Sequence, residues 1–250
     1  MRTILTLLLL AFALPLHASW REGVGDSIYL DDPYTFRAQQ LILPLGLVAA
    51  SSIALIGDVD CKISQALSSE SGHTSLDEYL RFAPIATLWA LDATKIPARH
   101  AIGEQTLMLA TASVAMASMS AITKSIVSRT RPDGSGSDSY PSGHTALAFM
   151  GAEFLRMEYG QSSPWVGVAG YSFALATAYL RIYNGEHYLG DILAGAGVGL
   201  LSVKIAYWCA PLFTRLLFGH DVRGRHTFAE LSVMPFCDGS QFGVGLMGRF

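Results

Sequence analysis

Between Lys124 and Asp191 three short polar motifs interrupt an otherwise apolar sequence: Lys124-x6-Arg131-Pro132, then Pro141-Ser142-Gly143-His144, then Arg181-x5-His187-x3-Asp191. If they act together, the fold must bring three separated stretches to one end of one bundle, which excludes most arrangements of the chain. The residue types share one chemistry. Lys124, Arg131 and Arg181 are cationic donors suited to phosphate oxygens and to the charge spread over them in a phosphoryl-transfer transition state. Ser142 supplies a hydroxyl, and Gly143 a backbone N–H in a turn where glycine permits close approach. His187, His144 and Asp191 complete a nucleophile, an acid and an orienting carboxylate.

The spacings predict a single pocket. A helix ending near Ser128 would set Lys124 and Arg131 two turns apart on one face. The break at Asn184-Gly185 predicts a new helix with His187 in its first turn, where free N–H groups and the dipole favour an anion. Asp191 then follows at i+4, within reach of one ring nitrogen of His187, and would fix the tautomer for a transient phosphohistidine. The interval from His144 to Arg181 holds one helical hairpin, which returns both motifs to the same end. Taken singly, Pro-Ser-Gly is an ordinary turn before a helix and a His/Asp pair is commonly a helix-surface hydrogen bond. All three motifs in order point to a phosphate pocket.

In these motifs the chain resembles the type 2 phosphatidic acid phosphatase (PAP2) superfamily, which also contains bacterial acid phosphatases and vanadium haloperoxidases. The family signature is Lys-x6-Arg-Pro, Pro-Ser-Gly-His and Ser-Arg-x5-His-x3-Asp. Leu180 stands here where the family usually has Ser, so one phosphate-binding hydroxyl is missing or replaced. The resemblance implies an all-α helical bundle with His187 as nucleophile, Asp191 as its partner and His144 as general acid for the leaving group. It implies Lys124, Arg131, Ser142, Gly143 and Arg181 as phosphate ligands, and no metal or other cofactor. A haloperoxidase would need vanadate, which nothing in the sequence signals.

Composition indicates where such a site works. Hydrophobic residues make up 51% of the chain and charged residues 15%, against about 25% charged in ordinary soluble domains. A net charge of -3 offers no basic surface for nucleic acid. Residues 1–19, with Arg2, an apolar run from Ile4 to Leu16 and small residues at Ala18-Ser19, read as a secretory signal peptide too short to span a bilayer. A polar segment (20–38) precedes the helical phosphatase-like domain (39–215), and a tail (216–250) follows. Apolar helices are predicted at Leu41–Ile56, Leu80–Asp92, Leu107–Thr123, His144–Arg156, Trp165–Leu180 and Tyr188–Phe213. Their Ala, Gly and Ser content suits close packing in a membrane, and equally a tight soluble bundle. In the tail, partly alternating residues around Cys237-Asp238-Gly239-Ser240 predict a short β-hairpin. Cys61, Cys209 and Cys237 have no metal spacing; Cys209 reads as core packing, and a Cys61–Cys237 disulfide is open to a secreted chain.

Basic residues cluster at Lys95 and Arg99, at Arg156, and at Arg215, Arg223 and Arg225. The positive-inside rule places these in the cytoplasm and the motifs on the periplasmic side of a bacterial-type inner membrane. After signal cleavage this requires five spans, not six, so one early run does not cross. The expectation is a metal-independent, membrane-embedded phosphatase acting on a lipid phosphate or diphosphate. Two alternatives stay open: a soluble periplasmic acid phosphatase on small esters, and a phosphate or lipid-headgroup binder without turnover. An acid and a nucleophile beside the cations count against the binder.

Overall fold

Two helices fill the interval from His144 to Arg181, antiparallel as the spacing requires, and the rest of the bundle is arranged around that hairpin. The computed structural model describes residues 32–56, 59–68, 73–94, 96–222, 232–237 and 242–247, with no side-chain description beyond residue 222. The helices are α1 (Ile42–Ile56), α2 (Val59–Leu67), α3 (Leu76–Leu80), α4 (Ala83–Asp92), α5 (Ile102–Ile126), α6 (Gly143–Tyr159), α7 (Pro164–Tyr183) and α8 (Leu189–Phe218). Local chemistry sets several of their ends. Ser142 caps α6, its side chain accepting from the Thr145 N–H. Pro164 opens α7 at a position that needs no N–H donor. Gly219, at φ 72°, ends α8 in the left-handed conformation that glycine tolerates best.

The central element is α8, packed against α6, α1 and α5, while α6 also pairs with α7. Its glycines permit this. A Cβ on Gly195 would stand 2.5 Å from the Ser142 carbonyl, and one on Gly199 would strike the Ala146 carbonyl, so α8 meets α6 backbone to backbone. On the opposite side Gly197 lies against α1, where a Cβ would approach the Pro44 carbonyl to 2.7 Å. Below this contact the main core is built from Leu88, Met108, Phe154, Leu155, Val203 and Tyr207.

The outer surface is apolar. Ile53 is 73% and Ile126 75% exposed, with Ile42, Val114, Leu216 and Leu217 likewise outward, whereas Glu104, Gln105, Glu153 and Glu158 are buried. An apolar sleeve around a partly polar interior is the surface a bilayer covers. Three stretches (Ala38–Leu55, Ile102–Ile126 and Leu189–Phe218) are long and apolar enough to cross a membrane. The chain is therefore a mostly helical membrane protein.

Several boundaries differ from the sequence-based expectation. The run Leu80–Asp92 is broken at Arg81-Phe82 into α3 and α4, with Pro84 in the first turn of the second helix. Helix α2 was not foreseen, because its nine residues mix polar and apolar types. Helix α5 stops at Ile126, since Val127 is extended and the chain turns back to pair Arg129 with Asp138. Cys61 is a free thiol, and the side chain of Cys237, the other half of the expected disulfide, lies outside the described residues. The expected signal peptide lies outside the described residues, as does most of the polar segment. In the tail, Ser232–Cys237 and Phe242–Met247 run antiparallel, and the turn between them is not described.

The glycine contact generates a stability prediction. Gly199→Val should lower the thermal midpoint of the detergent-solubilised protein by an amount corresponding to about 1–3 kcal/mol, the usual cost of overpacking. Gly103→Ala, where an added Cβ meets only the Phe218 ring at 3.8 Å, should change it little. Thermal unfolding followed by circular dichroism checks both, and an unaffected Gly199 variant would contradict the packing argument.

Candidate active site

The antiparallel helices place the end of α5, the start of α6, the end of α7 and the start of α8 at one pole of the bundle. A backbone hydrogen bond joins two of the motifs there directly: the Ser142 N–H donates to the Asp191 carbonyl at 3.0 Å. His187 is 2% exposed and Asp191 fully buried. Contrary to expectation, His187 precedes α8, whose N-cap is Tyr188. Asp191, in the first turn, reaches back so that Oδ2 accepts the Tyr188 N–H at 2.9 Å.

The His187–Asp191 contact is also less direct than the spacing suggested. Nδ1 stands 3.6 Å from Asp191 Oδ2, beyond hydrogen-bond length. Ser139 bridges them, its hydroxyl donating to Oδ2 at 2.5 Å while Oγ lies 3.4 Å from Nδ1. An Nδ1–H to Ser139 to Asp191 relay leaves Nε2 as the basic nitrogen. Burial lowers the pKa of His187, Asp191 opposes that, and Arg181 and Arg131 push it down further. The ring is thus held neutral, the form a nucleophile requires.

The cations converge through a loop, not along a helix face. Lys124 donates to the Asp138 carbonyl, and Arg131 Nε donates to Asp138 Oδ1 at 3.1 Å. Arg181, 1% exposed, bonds Asp77 Oδ2 at 2.6 Å through Nη1 and pairs with Glu186 through Nη2. Glu186 also faces Arg131 at 3.7 Å. Arg181 Nε is buried with no hydrogen-bond partner among the described residues. A buried charge-bearing donor left open is costly, and an oxyanion would satisfy it. Ser142 is fully buried and its Oγ accepts the Thr145 hydroxyl at 3.0 Å. A Cβ on Gly143 would meet nothing within 4 Å among the described residues, which leaves the first turn of α6 open to a ligand.

His144 Nε2 lies 2.7 Å from Arg81 Nη1 and 3.0 Å from Glu78 Oε1. The two contacts ask opposite things of one nitrogen, acceptor toward the guanidinium and donor toward the carboxylate. The ring is thus held between a cation and an anion in the first turn of α6. Sequence reasoning missed Arg81, Glu78, Asp77, Asp138, Ser139, Glu186 and Arg129, which all touch motif residues. One signal was available: in a chain with 15% charged residues, carboxylates between apolar runs are unusual enough to need partners. The sequence also led us to expect no carboxylate group able to hold a metal ion. Asp77, Glu78 and His144 do offer ligand atoms within 4.8 Å of one another. Those atoms are engaged with Arg181, Asn184 and Arg81, and adjacent cations oppose a further positive charge.

Residues 105–215 match the family model of the PAP2 superfamily. The chain is 33% identical over 235 residues to a lipid A 1-phosphatase of Porphyromonas gingivalis, covering 88% of this chain and 53% of that protein. It is 33% identical over 98 residues to the bacitracin transport permease protein BcrC of Bacillus licheniformis, covering 39% and 45% respectively. The chain thus spans about half the length of these relatives. Among solved structures, Aquifex aeolicus LpxE aligns with TM-score 0.46 at 20% identity, over 59% of this chain and 94% of the other. A Bacillus subtilis PAP2-type phosphatidylglycerolphosphate phosphatase aligns with TM-score 0.45 at 21% identity, over 74% and 97%.

The lowered pKa of His187 has a definite sign. The neutral imidazole persists to lower pH than in a free histidine, so the acidic limb of kcat/KM should have its midpoint below about 6.5. A pH profile, with the substrate's own ionisation measured separately, tests this; a limb centred above that value would contradict the assignment.

Proposed function

This chain belongs to the PAP2 superfamily, and from that membership we propose that it is a phosphatase hydrolysing a lipid phosphate or diphosphate at the membrane surface through a phosphohistidine. One observation carries the reading. Lys124, Arg131 and Arg181 gather beside a buried neutral His187, and the Arg181 Nε has no partner among the described residues. A tetrahedral dianion entering there displaces the exposed carboxylates of Asp138 and Glu78 and supplies acceptors to all three cations. Binding alone would not need a buried histidine, a serine relay and a second histidine, which disfavours a non-catalytic binder.

In the proposed sequence His187 Nε2 attacks phosphorus as the bond to the leaving oxygen breaks, and His144 protonates that oxygen. The Ser139–Asp191 pair stabilises the positive charge that develops on His187. Lys124, Arg131, Arg181 and the Gly143 N–H hold the equatorial oxygens. His144, now neutral, takes a proton from water, and the hydroxide attacks the phosphohistidine, releasing phosphate and restoring His187. No step uses a metal. Leu180 leaves the site without the family hydroxyl, and Arg81 adds a cation at the leaving-group side.

We assign this activity to residues 39–215, with the pocket facing the periplasm and the C-terminal hairpin as an appendage. Because α1 ends at the motif pole beside Gly190, and α3–α4 carry the chain from Asp77 at that pole to Arg99 at the other, the chain crosses six times, not the five expected from signal cleavage and charge. Support for this topology comes from charge. Arg99 bonds Met157 and Glu158 at the pole away from the motifs, where Arg156 also lies. The apolar sleeve favours a lipid substrate over the soluble acid-phosphatase reading. Within the class, the relative named a lipid A 1-phosphatase favours a glycolipid phosphate over phosphatidate-type lipids and isoprenyl diphosphates.

His187→Ala should lower turnover by about 10³-fold or more while inhibition by vanadate of the wild type shows the phosphate pocket. Labelled phosphate should be retained on the wild-type protein after an alkaline quench, and activity should survive exhaustive chelation. Normal turnover in the alanine variant would exclude the covalent route, and a divalent-metal requirement would exclude the metal-free one. For topology, in a background lacking the native cysteines, Ser135→Cys should react with an impermeant thiol reagent from the periplasm and Ala93→Cys should not. The reverse labelling would invert the orientation.

A further inference from the structure

Arg129 lies between Lys124 and Arg131, inside a spacing whose intervening residues carry no assigned role, yet it makes the most extensive ionic contacts to the His187–Asp191 unit. Nη1 donates to Asp191 Oδ1 at 2.7 Å, and Nη2 donates to Asp60 Oδ2 at 2.6 Å. The guanidinium lies over the Tyr188 ring, 3.9 Å from its centroid. Asp60, in α2 and 1% exposed, uses its other oxygen to accept the Gly190 N–H in the first turn of α8 at 2.9 Å. The backbone of Arg129 is fixed as well: its N–H donates to the Ser137 carbonyl, and its carbonyl accepts from the Ser139 N–H.

We propose that Arg129 and Asp60 are positioning residues that fix the Asp191 carboxylate, and through it Ser139 and His187, in the geometry of attack. The proposal rests on the reading of His187 as nucleophile. The carboxylate torsion of an aspartate is broad and roughly two-fold. Here one oxygen, Oδ2, must stay on Ser139 and the Tyr188 N–H. Arg129 removes the alternative by holding Oδ1 from the other side. A guanidinium does this because its planar fork reaches two carboxylates at once, which an ammonium cannot do in the same geometry. Asp60 in turn orients the fork and balances its charge, so that Arg129 is committed inward, away from the Asp138 and Glu186 carboxylates that Lys124, Arg131 and Arg181 share. The short helix α2, which lies outside the three motifs, thereby becomes part of the active unit.

The test uses the full chain in detergent, with Arg129→Gln, Arg129→Lys, Asp60→Asn and the Asp60→Asn/Arg129→Gln double variant, beside His187→Ala. Positioning predicts that kcat falls about 10- to 100-fold in Arg129→Gln and Asp60→Asn, with KM and the vanadate inhibition constant held within about two-fold of wild type, on the view that uniform binding is untouched. Arg129→Lys should recover only part of kcat, and the double variant should lose no more than the worse single variant, because the two act through one bridge. A rise in KM and in the vanadate constant with kcat retained would make Arg129 a phosphate ligand and overturn the proposal. If Arg129→Gln does not fold, Asp60→Asn and Arg129→Lys decide, since Arg129 keeps its Asp191 partner in the first and the site keeps its charge in the second. Wild-type kcat in both would overturn the proposal. Turnover in His187→Ala would instead remove the underlying nucleophile assignment, whereas an inactive His187→Ala beside fully active Arg129 and Asp60 variants would remove only the positioning role.

Discussion

The polar pole of this bundle depends on how closely α6 and α8 approach. Glycines at 195 and 199 let the helix backbones touch, and the Ser142 N–H meets the Asp191 carbonyl across that contact. That hydrogen bond ties the second motif to the third. It sets the open first turn of α6 beside the relay that ends on His187. A side chain at either glycine would part the helices and with them His144 and His187, although neither glycine is among the residues proposed to act in chemistry.

Charge is organised in two layers at that pole. The inner layer is buried and permanent: Asp60, Arg129 and Asp191 compensate one another, and Asp77 fixes Arg181. The outer layer is exchangeable. Asp138 and Glu78 are about half exposed and bond cations that a phosphate would also bond. A carboxylate makes a weaker claim on a guanidinium than a dianionic phosphoryl group, so on the proposed function exchange would be favourable when substrate enters. Stability and function are thus separated by depth. The deep pairs keep the scaffold from carrying uncompensated charge, and the shallow pairs keep the empty site from collapsing around repelling cations.

The bilayer explains the rest of the surface. Outward Ile, Leu and Val on α1, α5 and α8 would be a liability in water, while the glutamates that would suit water are turned inward and paired. Glu153, for example, is buried against Arg156 and Lys204. Such placement is expected where every polar group must be satisfied within the protein.

How much of this was legible beforehand follows from range. The residue types and order of Lys124, Arg131, Ser142, Gly143, His144, Arg181, His187 and Asp191 are local facts, and so is the helical hairpin that returns them to one pole. The main apolar helices were also legible, because their burial or lipid exposure comes from continuous runs. Contacts between distant segments were not. Nothing adjacent to Asp60 says that it meets Arg129, and nothing in the i+4 spacing says that Ser139 stands between His187 and Asp191. The break of α5 at Ile126 was misjudged for the same reason, since the loop closes on Asp138 through a pairing that periodicity does not encode. By itself the sequence determined which polar side chains are present and that one pole of the bundle carries them, because residue type and helix period act over a few turns. Only the tertiary structure decided how those side chains are paired and aimed, because a buried charge takes its partner from whatever the packing brings within 3 Å.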